Sequence, residues 1–253
     1  MLKKLLKRNQ KKMTDSSKDD KEQTFIQHLE ALRSMLINSI AAVVLLSPIG
    51  FWAAPKFINF LVKNSLPDGI VKLHYFSPME VFLIQMKAGI VLAFVLAFPF
   101  IVYQVRKFVL PALYEHERKF LGFLVFFATI LFVMGAAFCV FCIMPLIMNF
   151  SASFSTAQLE PTLGLGNFVN LCAGLMLAFG LMFQMPLVVL TGVKFGLVSV
   201  KALENMRPYI IVVILILAAV FTPPDVVSQL MLGVPTWLLF EAGIFVAKII
   251  EKN

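Results

Sequence analysis

Two short stretches set ionisable groups at the mouths of long apolar runs. In "HLEALR", Glu30 and Arg33 lie about one helical turn apart, just before the first run. In "YEHERK", Glu115, His116 and Glu117 precede Arg118 and Lys119 at the start of a later run. Carboxylates gathered at a membrane surface suit a cationic ligand, above all a guanidinium, which they hold through two parallel hydrogen bonds. The same residues also read as interfacial ion pairs that anchor helix ends. Other polar groups lie within the apolar runs. Glu241 sits inside "WLLFEAGIFV", Gln184 lies beside Pro186, Glu80 and Lys87 are seven residues apart, and Gln229 follows a tight turn. A charge in hydrocarbon costs roughly 2.5–3.5 kcal/mol on insertion scales, so such a group needs a partner or a use. Glu241 either pairs between helices or binds a partner helix. Gln184 and Gln229 are able to bond a neighbouring helix or a guest segment. Lys87 is expected to snorkel toward an interface.

Nothing in the sequence calls for catalysis. It contains no phosphate loop, no HExxH and no nucleophile elbow. His28, His74 and His116 are scattered. Cys139 and Cys142 form a CxxC inside an apolar run, and without a second pair or a nearby histidine they read as packing residues. The expectation is a protein that is not an enzyme and uses no cofactor and no metal.

The elements that must position these groups are long apolar helices. The chain has 253 residues, of which 60% are hydrophobic and 14% charged. A soluble domain averages about 45–50% apolar and about 25% charged, so the departure is toward a polytopic membrane protein. A span needs roughly 20 apolar residues, because the hydrocarbon layer is about 30 Å thick and a helix rises about 1.5 Å per residue. Six spans are expected, over residues 35–54, 79–104, 120–148, 168–193, 209–221 and 226–250. The fold class is therefore all-α, with a short hairpin made by the fifth and sixth spans. Residues 1–23 are charge-dense and read as a mobile tail, and residues 24–250 form one membrane domain. Thr24 with Gln27 fits a capping box, and residues 55–77 read as a loop containing the turn signal "LPDG".

The net charge of +8 follows membrane topology rather than nucleic acid. The basic residues crowd the N-terminal tail, the loops around Arg106–Lys119 and Lys194–Arg207, and the C-terminus. The first loop holds only Lys56, Lys63 and Lys72, and the third and fifth loops hold none. By the positive-inside rule both termini are cytoplasmic. The fifth span is unusual, since its 13 or so apolar residues reach only about 20 Å before Pro223–Pro224 stop it. Such a hairpin must thin the bilayer or rest part-way across it.

Several strings together resemble one family. "HLEALR" resembles the HLxELR motif that opens TatC, the receptor subunit of the twin-arginine protein translocase. "FVLPALYEHERK", "FQMP", "RPY", "TPPDVVSQ" and "FEAGIF" are similar to later TatC stretches, in order, over about residues 24–248. The resemblance implies a multi-pass protein of the plasma (inner) membrane that binds paired-arginine signal peptides of folded cargo. It also implies recruitment of TatA-type and TatB-type single-span partners, assembly into a homo-oligomer within the complex, and transport driven by the proton-motive force. Signal-peptide binding then falls to Glu117, Glu30, Arg33, Phe108 and His116. Gln184 and Glu241 are the intramembrane polar groups, and Thr222, Asp225 and Gln229 the partner-helix contacts. One departure stands out. The family glutamate directly precedes Leu-Arg, whereas this chain has Ala31 there and its glutamate one residue earlier. About 100° of helix rotation separates the two positions, so Glu117 is expected to outweigh Glu30. A small-solute transporter using Glu80, Lys87 and Glu241 is the competing reading.

Overall fold

The structure is a computed structural model describing residues 2–66, 72–75, 77–109, 118–153, 162–221 and 226–251. Helix α1 spans Leu2–Ser65, strand β1 Lys72–His74, α2 Pro78–Val109 and α3 Arg118–Phe138. A π-helical turn, Cys139–Ile143, joins α3 to α4, Met144–Ala152. Strand β2, Thr162–Gly164, leads into α5, Leu165–Met182, and α6 is Met185–Lys194. Then follow α7, Val200–Asn205, α8, Arg207–Phe221, and α9, Val226–Glu251. Among the described residues, five helical stretches are long and apolar enough to cross a membrane: Leu29–Ser65, Pro78–Val105, Gly122–Ala152, Leu165–Lys194 and Val226–Ile249. The sixth apolar helix, α8, has only 15 residues. The chain is thus a polytopic helical membrane protein, as its composition predicts.

The helix boundaries differ from expectation at both ends of α1. Residues 2–23 contain neither Gly nor Pro, and α1 runs through them without a break at the Thr24 capping pattern. At the other end α1 passes Pro48 and Pro55 and continues to Ser65, so residues 55–65 are helix rather than loop. Ala54, Ile58, Leu61 and Ser65 recur at helical spacing and are all buried. That stripe outweighs the hydrogen bond lost at each proline, which neighbouring helices make tolerable in membrane proteins.

Close helix crossings depend on small residues. A Cβ at Gly50 of α1 would fall 2.1 Å from the Gly89 carbonyl oxygen of α2. One at Gly180 would fall 2.5 Å from the Phe132 ring, and one at Gly243 of α9 would fall 2.9 Å from Pro186 Cα of α6. Phe132 is fully buried and stacks on Phe98 at 3.7 Å between centroids. The main core gathers around Phe168, Leu175 and Phe179 of α5, where α1, α2, α3 and the π turn converge. A smaller cluster of Val189, Val200, Phe240, Ile244 and Ala247 joins α6, α7 and α9.

The π turn has a covalent cause. Its Met144 N–H reaches back to the Cys139 carbonyl. In that register the next donor, to Val140, would be Pro145, which has no N–H. Asn64 Nδ2, in the last turn of α1, donates to that carbonyl instead at 3.0 Å. The all-α expectation needs one addition. β1 and β2 form a parallel pair, Lys72↔Thr162 to His74↔Gly164, just before the helices α2 and α5. This pair puts the starts of α2 and α5 on the same side of the bundle.

Candidate functional site

The expected site residues separate into three places. Glu30 and Arg33 lie on α1 and are both exposed, while Ala31, Leu32, Met35 and Ser39 form its half-buried side. Among the described residues, neither Glu30 nor Arg33 makes an ion pair. Phe108 is half-buried in the last turn of α2. Glu117 and His116 lie outside the described residues.

The second place is the middle of the bundle. Pro186 has no N–H for the Met182 carbonyl, and the helix breaks there into α5 and α6. Gln184 sits in the break as the first residue before α6. Its Nε2 donates to the Ala128 carbonyl of α3 at 3.0 Å and to the Gly180 carbonyl at 3.4 Å. This polar group therefore ties the broken segment to α3.

The third place is the hairpin of α8 and α9, which is tied at two points along its length. At one end Arg207 Nε lies 2.8 Å from Glu241 Oε1, and Nη2 donates to Oε2 at 2.9 Å. The Nη2 contact is a charge-assisted hydrogen bond, while Nε approaches the second oxygen closely without hydrogen-bond geometry. Of the two readings of Glu241, the structure realises pairing within the chain. Lys248 of α9 adds a second ion pair with Glu204 of α7. The hydrogen bond and charge of Lys248 hold the Glu204 carboxyl below the usual glutamate range. Nearer the turn, Gln229 Nε2 donates to the Leu215 carbonyl at 2.9 Å. Thr222 and Asp225 lie outside the described residues.

A cavity of about 610 Å³ opens beside this clamp. Its walls include Val102 of α2, Leu124 of α3, Met185 and Val188 of α6, Ile210 of α8 and Phe240 of α9. Phe240 of this wall immediately precedes Glu241 in α9, and Ile210 follows Arg207 by three residues in α8. Thr191, a polar residue of this wall, donates its hydroxyl to the Leu187 carbonyl of its own helix. The cavity is thus fitted for an apolar guest, and it offers an ion or polar solute little. Among the described residues no group of three metal-ligating side chains comes together.

Sequence reasoning missed Arg207, Glu204 and Lys248 as partners, and Asn64 and Asn170 altogether. Lys87 Nζ donates to Asn170 Oδ1 of α5 at 3.3 Å. Partners 34, 44, 76 and 83 residues apart leave no periodic trace. The available hint was a polar residue inside an apolar helix.

The chain was compared with known proteins. The sequence profile of the family described as Sec-independent protein translocase protein (TatC) matches residues 27–235. A Sec-independent protein translocase protein TatC from Carboxydothermus hydrogenoformans is 35% identical over 236 residues, covering 93% of this chain and 97% of the relative. The Azotobacter chroococcum protein of the same description is 34% identical over 238 residues, covering 92% of each chain. A crystal structure of the twin-arginine translocase receptor TatC superposes with a TM-score of 0.79 at 33% identity, covering 88% of this chain and 98% of that one. A second crystal structure of that receptor, in detergent, gives a TM-score of 0.80 at 33% identity, with 87% and 99% covered.

Proposed function

The chain belongs to the TatC family of Sec-independent protein translocase proteins, and from that premise we propose that it is the signal-peptide receptor of a twin-arginine translocase. The observation that carries this reading is the structural likeness to a twin-arginine translocase receptor over nearly that receptor's whole length. In this reading both termini face the cytoplasm and the protein sits in the plasma (inner) membrane. Glu117 is the main carboxylate for the arginine pair, with His116, Phe108, Arg33 and Glu30 around it. The exposure of Glu30 beside the half-buried Ala31 supports its secondary role. The carboxylate has moved off the packed side of α1 that the family glutamate position occupies here.

The hairpin supports recruitment of TatA-type and TatB-type single-span partners. Its outer turn, with Thr222, Asp225 and Gln229, is the proposed contact, and the clamp at Arg207 and Glu241 fixes its pose. Transport of folded cargo is then driven by the proton-motive force. The test is export of a folded reporter bearing a paired-arginine signal, in cells lacking their own receptor and supplied with this chain and its native partners. Restored export that depends on the arginine pair supports the reading. Absence of export with the protein stably inserted refutes it.

A further inference from the structure

The first turns of α1 carry a pattern that the membrane domain does not use. Residues 2–13, "LKKLLKRNQKKM", are helical and lie before residue 27, where the family profile begins to match. At about 100° of rotation per residue, positions 2, 5, 6, 9 and 13 fall within an arc of about 100°. Four of these five positions are apolar, Leu2, Leu5, Leu6 and Met13, with Asn9 at the centre. The opposite half of the helix holds Lys3, Lys4, Lys7, Arg8, Lys11 and Lys12. No Asp or Glu precedes Asp15, so Lys3, Lys4, Lys7 and Arg8 have no carboxylate at the i+3 or i+4 position where a helix pairs charges. The pattern changes abruptly after Met13. Residues 14–23 hold four acidic and two basic side chains and no apolar one.

We propose that residues 2–13 form an amphipathic anchor that lies on the anionic phospholipid surface beside the first span; that this surface is the cytoplasmic leaflet rests on the orientation proposed above. An anionic headgroup layer attracts the basic face, and the apolar stripe enters the boundary beneath it. The stripe also decides between partners. A nucleic acid backbone would engage the cations but leave Leu2, Leu5, Leu6 and Met13 in water. Running straight from the span, α1 would hold these residues roughly 24–40 Å beyond Leu29, where the first apolar stretch begins. The Debye length is about 8–10 Å at ordinary ionic strength, so contact with the surface requires a bend. Thr14, Asp15, Ser16 and Ser17 are the place for it, since their side chains compete for backbone hydrogen bonds and lower helix propensity. The acidic residues beyond them are repelled by the same headgroups and stay off the surface. The docked piece is a helix of about 18 Å, short enough to be marginal in water. The lipid surface therefore keeps its backbone bonds closed, and tethering to the span gives that surface a high effective concentration.

The test is amide hydrogen exchange, read by mass spectrometry, on the full chain in nanodiscs of phosphatidylcholine alone or of an equal mixture with phosphatidylglycerol. The amides of residues 2–13 should exchange about tenfold or more slowly on the anionic discs, given roughly fivefold in residence for each basic residue near such a surface. Leu5→Ser with Leu6→Ser should abolish the slowing although every cation remains. Lys3→Gln, Lys4→Gln and Lys7→Gln together should make the two discs equivalent. Equal exchange of wild type on the two discs overturns the proposal, as does slowing that survives the two serines, since charge alone would then hold the segment. Slowing that runs equally through residues 14–23 also overturns it, because α1 would then be stiffened rather than docked. So does slowing that needs added RNA or a soluble protein. The readout requires neither a signal peptide nor export, and both faces of a disc carry the same lipid. A failure here is therefore distinct from a failure of the receptor reading or of its orientation.

Discussion

Removing both members of the Arg207–Glu241 pair should harm the protein less than the worse of the two single removals. The pair is joined by one hydrogen bond, and its side chains are 42% and 27% exposed. Exposed pairs contribute about 0.2–1 kcal/mol, while breaking a buried pair costs about 3–5 kcal/mol because one charge is left without its partner. Intermediate exposure places the coupling near 1–2 kcal/mol. Arg207→Leu leaves the largely covered Glu241 carboxylate without its partner. Glu241→Leu leaves the guanidinium at the start of α8, where a positive charge meets the positive end of the helix. The double variant leaves neither. For a chain of this size, about 1 kcal/mol moves Tm by roughly 2–4 °C. Each single variant should therefore melt about 2–8 °C below wild type, with the double variant above the worse single one. The measurement is a double-mutant cycle of thermal unfolding in one detergent. Additivity within about 0.3–0.5 kcal/mol would show that the two side chains do not couple, and the clamp argument would fall with it.

Five further outcomes follow from particular residues. Gly50→Val should weaken the α1–α2 crossing by more than about 1–3 kcal/mol, the usual cost of overpacking, because even its Cβ would stand 2.1 Å from a carbonyl oxygen. Gly122→Ala, which meets nothing within 4 Å, should be silent in the same melting assay. Gln184→Leu should cost only about 0.6–1 kcal/mol, since the carbonyls it serves belong to helices, and a loss above about 3 kcal/mol would show a larger role. Glu204 has its pKa depressed by Lys248, so this contact stabilises above the unfolded pKa and the benefit is lost as pH falls through the folded one. Lys248→Met should raise the Glu204 midpoint in a carboxyl-carbon NMR titration, and an unmoved midpoint would remove Lys248 as the cause. In peptide crosslinking, Glu117→Ala should weaken binding of a paired-arginine peptide more than Glu30→Ala, and the reverse order would restore α1 as the main site.

The spans were legible because length and apolarity are local properties. A run of more than 20 apolar residues has few alternatives to a membrane helix. Joints were harder to read. Pro55 looked like an end, but whether a proline ends a helix depends on what its neighbours bury, and Ala54, Ile58 and Leu61 bury fully or nearly so. The β1–β2 pair of three residues each is too short for alternation to show. The polar residues themselves stood out, but their partners did not. Glu241 was visible as a costly charge, yet pairing with Arg207 depends on how α8 turns back against α9. Ala31 shows the reverse case. The displaced glutamate was readable from the motif, and the structure adds which side of α1 each residue takes.

The short α8 connects these features. Its 15 residues give about 22 Å of helix, roughly 8 Å less than the hydrocarbon layer. Mismatch costs fractions of a kcal/mol per Å, a few kcal/mol in total. Hydrophobic cover alone does not hold such a helix. Only Ile214 and Ala218 are buried on it, while Val212, Val213, Ile216 and Val220 stay exposed. Polar ties at its start and its middle, Arg207 to Glu241 and Leu215 to Gln229, fix its position along α9. A longer helix would need no such ties, because the bilayer itself would set its depth. The groove opens on the same hairpin, through Ile210 and Val213. An apolar recess and a short helix tied to α9 thus occur together on one hairpin, and the shortness of α8, Arg207 to Phe221, is what makes those ties matter.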